Sequence, residues 1–238
     1  MLHRKNLFHK NVISIIIPFY NEEKTVSIIV NKVLKQKIPS WTKQIVLVND
    51  GSTDNFNEDT IPSSITYIKH QKNEGMGNAL RTGIANAYGE IILFQDADNE
   101  YDPSDIPLLI DQFKKSEIHV VYGSRYKDKK THGYFFYYLA TSFFTKMINI
   151  LYNVKLTDAF TGYKVFRSEI FDSIDSPYQD FRFNVDITTQ ILAKGIQIHE
   201  VPIRYTPRSF SEGKKISPLI GVFDFFIIWR NLLLLRFK

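Results

Sequence analysis

The apolar residues of the chain fall into short continuous runs that alternate with longer segments of helical periodicity. Runs of aliphatic residues at 12–19, 44–48 and 90–94 predict buried strands. Segment 25–37 has apolar residues three and four positions apart, which predicts an amphipathic helix. Because strands that alternate with helices of this length are typical of parallel β-α-β units, we predict an α/β fold with one doubly wound, mostly parallel sheet flanked by helices.

The rest of the chain follows the same alternation. The pattern predicts further strands at 65–68, 119–122 and 163–166, and further helices at 75–88, 103–115 and 187–194. Asp186 precedes the last of these helices, where it either caps the helix or faces an acceptor. Since no repeat or linker interrupts the pattern, we expect one domain over residues 1–217, followed by a C-terminal helix over 218–238.

Polar clusters follow three of the predicted strands, at 20–22, 50–54 and 96–100. The carboxyl ends of parallel strands meet at one edge of a sheet, which is where such folds bind ligands. Asp96 and Asp98 stand directly after a buried run, and two converging carboxylates repel each other unless a cation lies between them. A hard divalent ion bridged to substrate phosphates fits that need, although a solvated acidic loop is the alternative for this pair taken alone.

Composition and charge narrow the chemistry. The chain has no cysteine, which excludes disulfides, thiolate nucleophiles and cysteine-ligated zinc. Residues 204–238 hold seven cations and two anions, and so account for the whole net charge of +5. A basic tail of this kind indicates an anionic partner such as a phosphate, a lipid head group or nucleic acid.

Two apolar segments, Tyr134–Tyr152 and Leu219–Phe237, suggest contact with lipid. Polar residues of the first share one helical stripe, at Thr141, Thr145 and Asn149. The second contains Asp224 and Arg230, each of which would cost roughly 2.5–3.5 kcal/mol at the centre of a bilayer. We therefore expect an amphipathic helix in the membrane interface, anchored by Trp229 and flanking cations, rather than a membrane span. Packing of both segments against the sheet or a second subunit is the alternative.

A series of motifs in a fixed order supports a more specific hypothesis. These motifs are 18–22 (PFYNE), 48–54 (VNDGSTD), 73–75 (NEG), 96–98 (DAD), 123–126 (GSRY), 157–164 (TDAFTGYK), 200–203 (EVPI) and 208–215 (RSFSEGKK). In this order and spacing they resemble glycosyltransferase family 2, which has the Rossmann-like GT-A fold. The second half is most similar to the dolichyl- or polyprenyl-phosphate sugar synthases.

The resemblance implies roles on the donor side. Asp96 and Asp98 would bind Mg²⁺ or Mn²⁺ on the diphosphate of a GDP- or UDP-linked sugar, with Glu100 as a further ligand, directly or through water. The nucleoside pocket would consist of Pro18, Tyr20, Glu22 and Asp50, with Asp50 accepting hydrogen bonds from the base. The residues themselves leave open that Asp50 is an ordinary turn aspartate and that Glu22 is an acid favoured in the first turn of a helix.

The role of Gly75 and Gly77 is also undecided from the sequence. The amino terminus of the helix that they open would suit a diphosphate, or the two glycines only mark the start of that helix.

On the acceptor side, Arg125, Arg208 and Lys215 stand in motifs suited to gripping a phosphate. Asp158 is the candidate general base or acceptor-orienting carboxylate, and a structural aspartate is the alternative. A sugar hydroxyl must lose a proton when it attacks, whereas a lipid phosphate is already anionic and needs only cations to hold it.

The expected function is inverting transfer of a mannose- or glucose-type sugar from a nucleotide diphosphate sugar to a polyprenyl or dolichyl phosphate. We expect the protein at the cytoplasmic face of a membrane, peripheral or interfacially anchored. The alternative keeps the donor chemistry but uses a glycan or other soluble acceptor in cell-surface polysaccharide synthesis. We expect no nucleic acid as partner, because the intact carboxylates argue against a mere binding module. A homo-oligomer or a membrane subunit stays open.

Overall fold

A seven-stranded mixed sheet forms the centre of the protein. The computed structural model describes residues 8–128, 135–174, 176–208 and 220–236. The strands are β1 (His9–Phe19), β2 (Thr42–Asn49), β3 (Thr66–Lys69), β4 (Gly89–Phe94), β5 (Val120–Ser124), β6 (Lys164–Arg167) and β7 (Ile198–Pro202). They lie in the order β3-β2-β1-β4-β6-β5-β7, and β6 alone runs antiparallel to its neighbours. The predicted α/β fold with a mostly parallel sheet is confirmed.

Helices cover both faces of this sheet. They are α1 (Val26–Lys35), α2 (Met76–Asn86), α3 (Ile106–Asp111), α4 (Phe135–Tyr152), α5 (Arg182–Ala193) and α6 (Ile220–Arg236). Alternate residues of β1 enter opposite cores, with Ile15 facing the α1 and α3 side and Ile16 the α2 and α5 side. Because β1 and β4 are covered on both faces, they appear in the sequence as continuous apolar runs.

Two element boundaries differ from the prediction. The segment predicted as one helix over 103–115 forms α3 between two 3-10 turns, Pro103–Asp105 and Gln112–Lys114. Helix α5 begins at Arg182 rather than at 187, because Phe183 and Val185 already contribute to its buried face. Asp186 therefore lies inside the helix, fully buried, and neither caps it nor faces a ligand at its start.

The C-terminal helix α6 packs against α5. Ile227 and Ile228 of α6 join Ile148 of α4 and Val185 of α5 in a third apolar cluster. The two apolar segments thus pack against each other and against α5, and whether their outward faces lie in a membrane interface stays a prediction. Among the residues that the structure describes, no helix combines the length and apolar character needed to cross a membrane.

Candidate active site

The polar loops predicted to share one edge of the sheet do meet there. In β1, Phe19 pairs with Asn49 of β2, and Ile16 pairs with Phe94 of β4, so the loops that follow these strands emerge side by side. The first two loops are joined by hydrogen bonds, since the backbone N–H of Thr53 donates to Asn21 Oδ1 at 2.8 Å and that of Asn21 donates to Ser52 Oγ at 3.0 Å. The edge forms the base of the candidate site.

Three acids from two loops converge on one arginine at this edge. We call Glu22, Asp98 and Glu100 the carboxylate cluster. Arg208 Nη2 lies 2.6 Å from Asp98 Oδ2, Nη1 lies 3.0 Å from Glu22 Oε1, and Nε lies 3.5 Å from Glu100 Oε1. The backbone N–H of Arg208 also donates to Glu100 Oε1 at 3.0 Å. Residues assigned by sequence to the metal, the nucleoside and the acceptor thus meet at a single point.

Local turns explain how the acids are presented. The backbone N–H of Glu100 donates to Asp98 Oδ1 at 3.0 Å, and Asn99 between them has a φ of 63°, in the left-handed region that asparagine tolerates. The Tyr205 hydroxyl donates to Glu100 Oε2 at 2.6 Å, which fixes the chain just before Arg208 against the same turn. Glu22 lies in the turn before α1, which begins at Val26, so it is not a first-turn acid of that helix.

The electrostatics of the cluster suit an added cation. Burial, reinforced by the negative charges of Asp98 and Glu100, raises the pKa of Asp96 to about 7. Burial also raises the pKa of Asp98 to about 6, although Arg208 opposes the shift. Burial is the main cause of both pKa shifts, and the neighbouring carboxylate charges, which one guanidinium does not fully balance, add to it.

The donor set fits a hard divalent ion. Carboxylate oxygens are the ligands that Mg²⁺ prefers. Arg208 Nε is buried and has no hydrogen-bond partner among the residues that the structure describes, so the arginine satisfies this site incompletely. Among the described residues, no three acidic or histidine side chains are already arranged as a metal site, and the guanidinium of Arg208 lies where the acids of the cluster converge.

Asp50 holds a neighbouring loop in place. Its Oδ1 accepts from the backbone N–H of Glu74 and lies 2.7 Å from His70 Nδ1, while its Oδ2 accepts from the backbone N–H of Gly75 at 2.9 Å. The side chain is buried. These contacts favour a positioning role for Asp50, and a direct contact with a nucleotide base stays a prediction.

The start of α2 binds another part of the chain. The backbone N–H groups of Gly77 and Asn78 donate to the carbonyl of Gln179, at 2.6 and 3.2 Å. A Cβ on Gly75 would lie 2.5 Å from the same carbonyl oxygen, so glycine is required there by close approach. The glycines therefore mark a helix entry that the 177–182 segment caps. A polar cleft of about 690 Å³ opens beside this junction, lined by residues that include Lys72 and Arg182.

Arg125 and Asp158, both assigned to the acceptor, bind each other. Arg125 Nε lies 2.7 Å from Asp158 Oδ2 and Nη2 lies 2.8 Å from Oδ1, a two-point ion pair. The backbone N–H of Arg125 adds a third hydrogen bond to Oδ2 at 3.1 Å, and Asp158 is 0% exposed. With both oxygens engaged and no exposed surface, the arrangement favours a structural aspartate, and a role of Asp158 as general base or acceptor-orienting carboxylate stays a prediction.

Lys164 is a site residue to which the sequence analysis assigned no role. It opens β6, is fully buried, and its ammonium donates to the carbonyl of Thr161. Burial lowers its pKa to about 7, while the charges of Asp158 and Asp96 oppose that shift. Lys164 thus interacts electrostatically with one acid of each side, Asp96 of the donor side and Asp158 of the acceptor side. The available signal was a lysine among apolar residues in the predicted strand 163–166.

Two further residues of the predicted nucleoside pocket lie at and just after the end of β1. Pro18 is buried at the end of β1, and Tyr20 is half-buried next to it. Lys215 lies outside the described residues, as does the proposed domain boundary at 217/218.

Comparison with known proteins is consistent with this geometry. The model of the glycosyl transferase family 2 matches residues 14–175. A UDP-N-acetylglucosamine–dolichyl-phosphate N-acetylglucosaminyltransferase of Methanococcus voltae is 29% identical over 94% of this chain and 96% of its own. An undecaprenyl-phosphate mannosyltransferase of Micrococcus luteus is 26% identical over 87% of this chain and 88% of its own.

Among solved structures, the fold is similar to glucosyl-3-phosphoglycerate synthase of Mycobacterium tuberculosis, crystallised with Mn²⁺ and UDP-glucose. The TM-score is 0.73 at 16% identity, over 93% of this chain and 80% of that one. At this identity the likeness shows the fold, which is of the GT-A type.

Proposed function

The chain belongs to glycosyltransferase family 2, and on that premise we propose that it transfers a sugar from a nucleotide diphosphate donor to a polyprenyl phosphate, with inversion at the anomeric carbon. Relatives over almost the whole chain act on dolichyl or undecaprenyl phosphate. Those two relatives transfer different sugars, so the mannose- or glucose-type sugar and the choice between a GDP- and a UDP-linked donor rest on the sequence resemblance.

The observation that carries this proposal is the state of Asp158. Its carboxylate is enclosed by Arg125 and has no exposed surface, so it is not positioned to take a proton from an acceptor. A sugar hydroxyl would need such a base, whereas a phosphate monoester is already ionised at neutral pH. The arrangement therefore favours a phosphate acceptor over the glycan or other soluble hydroxyl acceptor.

On the donor side, Asp96, Asp98 and Glu100 are the residues that would hold Mg²⁺ or Mn²⁺. When bound, such an ion neutralises the diphosphate as it leaves. Pro18, Tyr20 and Glu22 would line the nucleoside pocket.

Asp50 would keep the adjacent loop in register with that pocket through Glu74 and Gly75. Arg208 and Lys215 would grip the acceptor phosphate. Arg125, held by Asp158, would add positive potential near that phosphate.

We further propose that the protein works at a membrane surface, on its cytoplasmic face. The polar stripe of α4 turns inward, where the Asn149 side chain bonds the backbone of Leu156 at 2.8 Å in both directions. The outward side is mostly apolar, with Phe143 62% and Ile150 81% exposed beside the exposed Lys146, and Phe226 of α6 is 65% exposed. Exposed apolar surface of this kind on two helices in contact suits a lipid interface.

The packing of α6 bears on the expected division of the chain into a domain (1–217) and a separate C-terminal helix (218–238). Helix α6 contacts α5 through buried residues, so we propose that residues 218–238 form a membrane-facing part of the same body as residues 1–217.

The test is sugar transfer by the purified full chain. Radiolabelled UDP- and GDP-linked sugars are offered with undecaprenyl phosphate, dolichyl phosphate or water-soluble sugar acceptors, with and without Mn²⁺. We expect label in the lipid phosphate fraction, only with the metal and with one nucleotide sugar. Transfer to soluble hydroxyl acceptors without transfer to lipid phosphate would contradict the proposed acceptor.

A further inference from the structure

Arg208 occupies the point where the expected metal ligands converge. Its guanidinium contacts Asp98 at 2.6 Å and Glu100 at 3.5 Å, and both are residues proposed to hold the divalent ion. The third contact is with Glu22 at 3.0 Å, across a sequence separation of 186 positions. One positive group from the far end of the chain thus neutralises acids that belong to the donor loops.

Arg208 binds the carboxylate cluster with incomplete hydrogen bonding, as we expect of a cation that another cation can replace. A planar guanidinium grips one carboxylate best through two parallel hydrogen bonds, as Arg125 grips Asp158. Arg208 instead reaches three separate acids, and within the described parts of the chain its buried Nε has no hydrogen-bond partner. A single positive charge also balances these acids less completely than a divalent ion would.

We propose that Arg208 holds the cation position of the carboxylate cluster when no divalent ion is bound, so that the guanidinium and the metal exclude each other. This inference rests on the proposed function, since it assumes that Asp98 and Glu100 bind the metal. Arg208 contacts Asp98 Oδ2 and Glu100 Oε1, so a divalent ion held by these two carboxylates would compete with the guanidinium for them.

The exchange links the two substrates. Arg208 begins the basic segment 208–215, which includes Lys214 and Lys215. While Arg208 is bound to Asp98, it is unavailable for an acceptor phosphate. Metal and donor binding release it, so a phosphate-binding cation becomes available only once the leaving group is in place. The expected consequence is an order of binding, with the metal and donor before the lipid phosphate.

The test measures binding of Mn²⁺ alone to the full chain, by the electron paramagnetic resonance signal of free Mn²⁺. Removing the competing cation in Arg208→Gln should tighten Mn²⁺ binding by about tenfold or more. Arg208→Lys keeps a positive charge and should stay closer to the unmodified protein. The matched control is Arg204→Gln, because Arg204 lies in the same segment but pairs with Asp105 at 2.9 Å, away from the cluster. We expect no change in that control.

A second substitution locates the binding event. Adding Asp98→Asn to Arg208→Gln should abolish the gain in Mn²⁺ affinity, and circular dichroism of each variant verifies that it is folded. Mn²⁺ affinity that is unchanged or weaker in Arg208→Gln overturns the inference, and so does a gain that survives Asp98→Asn. Because transfer activity is not the readout, metal-dependent transfer to lipid phosphate would still support the proposed function if this inference failed.

Discussion

Arg125 and Arg208 both meet carboxylates at the same edge of the sheet, a buried one for Arg125 and three half-buried ones for Arg208. Arg125 binds one acid through two short contacts, and its guanidinium carbon lies 5.1 and 5.2 Å from the ring centres of Tyr126 and Tyr205. Arg208 contacts three acids, and its buried Nε has no hydrogen-bond partner among the described residues. We call the Arg125–Asp158 pair saturated, because both oxygens of Asp158 are bound, and such a pair contributes to the fold. We call the Arg208 cluster unsaturated, because its hydrogen bonding is incomplete, and such a cluster is available to a ligand.

The largest effect should follow from removing an acid of the unsaturated cluster. In Asp98→Asn we expect transfer to fall by about 10³-fold or more, which corresponds to about 4 kcal/mol of transition-state stabilisation. The midpoint of thermal unfolding should hold or rise, because one of several mutually repelling carboxylates is gone. Sugar transfer and thermal unfolding are measured on one preparation of the variant, which tests both the loss of activity and the retained stability. Full activity in this variant would remove Asp98 from the metal site.

Removing the acid of the saturated Arg125–Asp158 pair should instead lower the stability of the protein. Asp158→Ala leaves the buried guanidinium of Arg125 unpaired, and we expect a loss of about 3 kcal/mol or more in the free energy of unfolding. Urea denaturation measures it. If Asp158 acted as a general base instead, the variant Asp158→Asn would keep its stability and lose turnover.

A smaller effect should test the outward faces of α4 and α6. Phe226→Ser removes an exposed aromatic ring without touching the buried face of α6. Since burying a large apolar side chain contributes about 1.5–3 kcal/mol, we expect sedimentation with anionic vesicles to weaken by about tenfold or more. Thermal stability should not change. The control is Leu108→Ser on α3, an exposed apolar residue on a helix outside the proposed lipid-facing surface.

The smallest effect is a pH dependence at the contact of α6 with the domain. Burial, with the charge of Asp180, raises the pKa of Asp224 to about 7, and Arg182 opposes the shift. The folded protein therefore prefers the protonated acid, so the stability contributed by Asp224 falls as pH rises from about 4 to about 7.

Replacing that acid should remove this loss. Asp224→Asn should be more stable than the unmodified protein at pH 8, by on the order of 1 kcal/mol, and the advantage should disappear near pH 4. Chemical denaturation at both pH values measures the difference. An advantage of equal size at both pH values would show that the ionisation of Asp224 is not its source.

Much of the fold could be predicted from the sequence, because the signals are local. The continuous run at 12–19 appears as β1, and the helical spacing at 25–37 appears as α1. The prediction was wrong at the start of α5, where the short-range pattern was insufficient. Phe183 and Val185 are separated by the polar Asn184, and only packing shows that both are buried.

The sequence by itself also determined that Asp50 and Asp96 lie at one edge, because polar residues that follow parallel strands must emerge on the same side. Only the tertiary structure decided which charges pair. Glu22 meets Arg208 across 186 positions, and Arg125 meets Asp158 across 33. Lys164 is buried and interacts electrostatically with both Asp96 and Asp158. Such pairings depend on how distant segments are brought together and on which groups lose water. Hydrophobic periodicity depends only on residues near each other in the sequence, whereas charge pairing and desolvation depend on the folded tertiary structure.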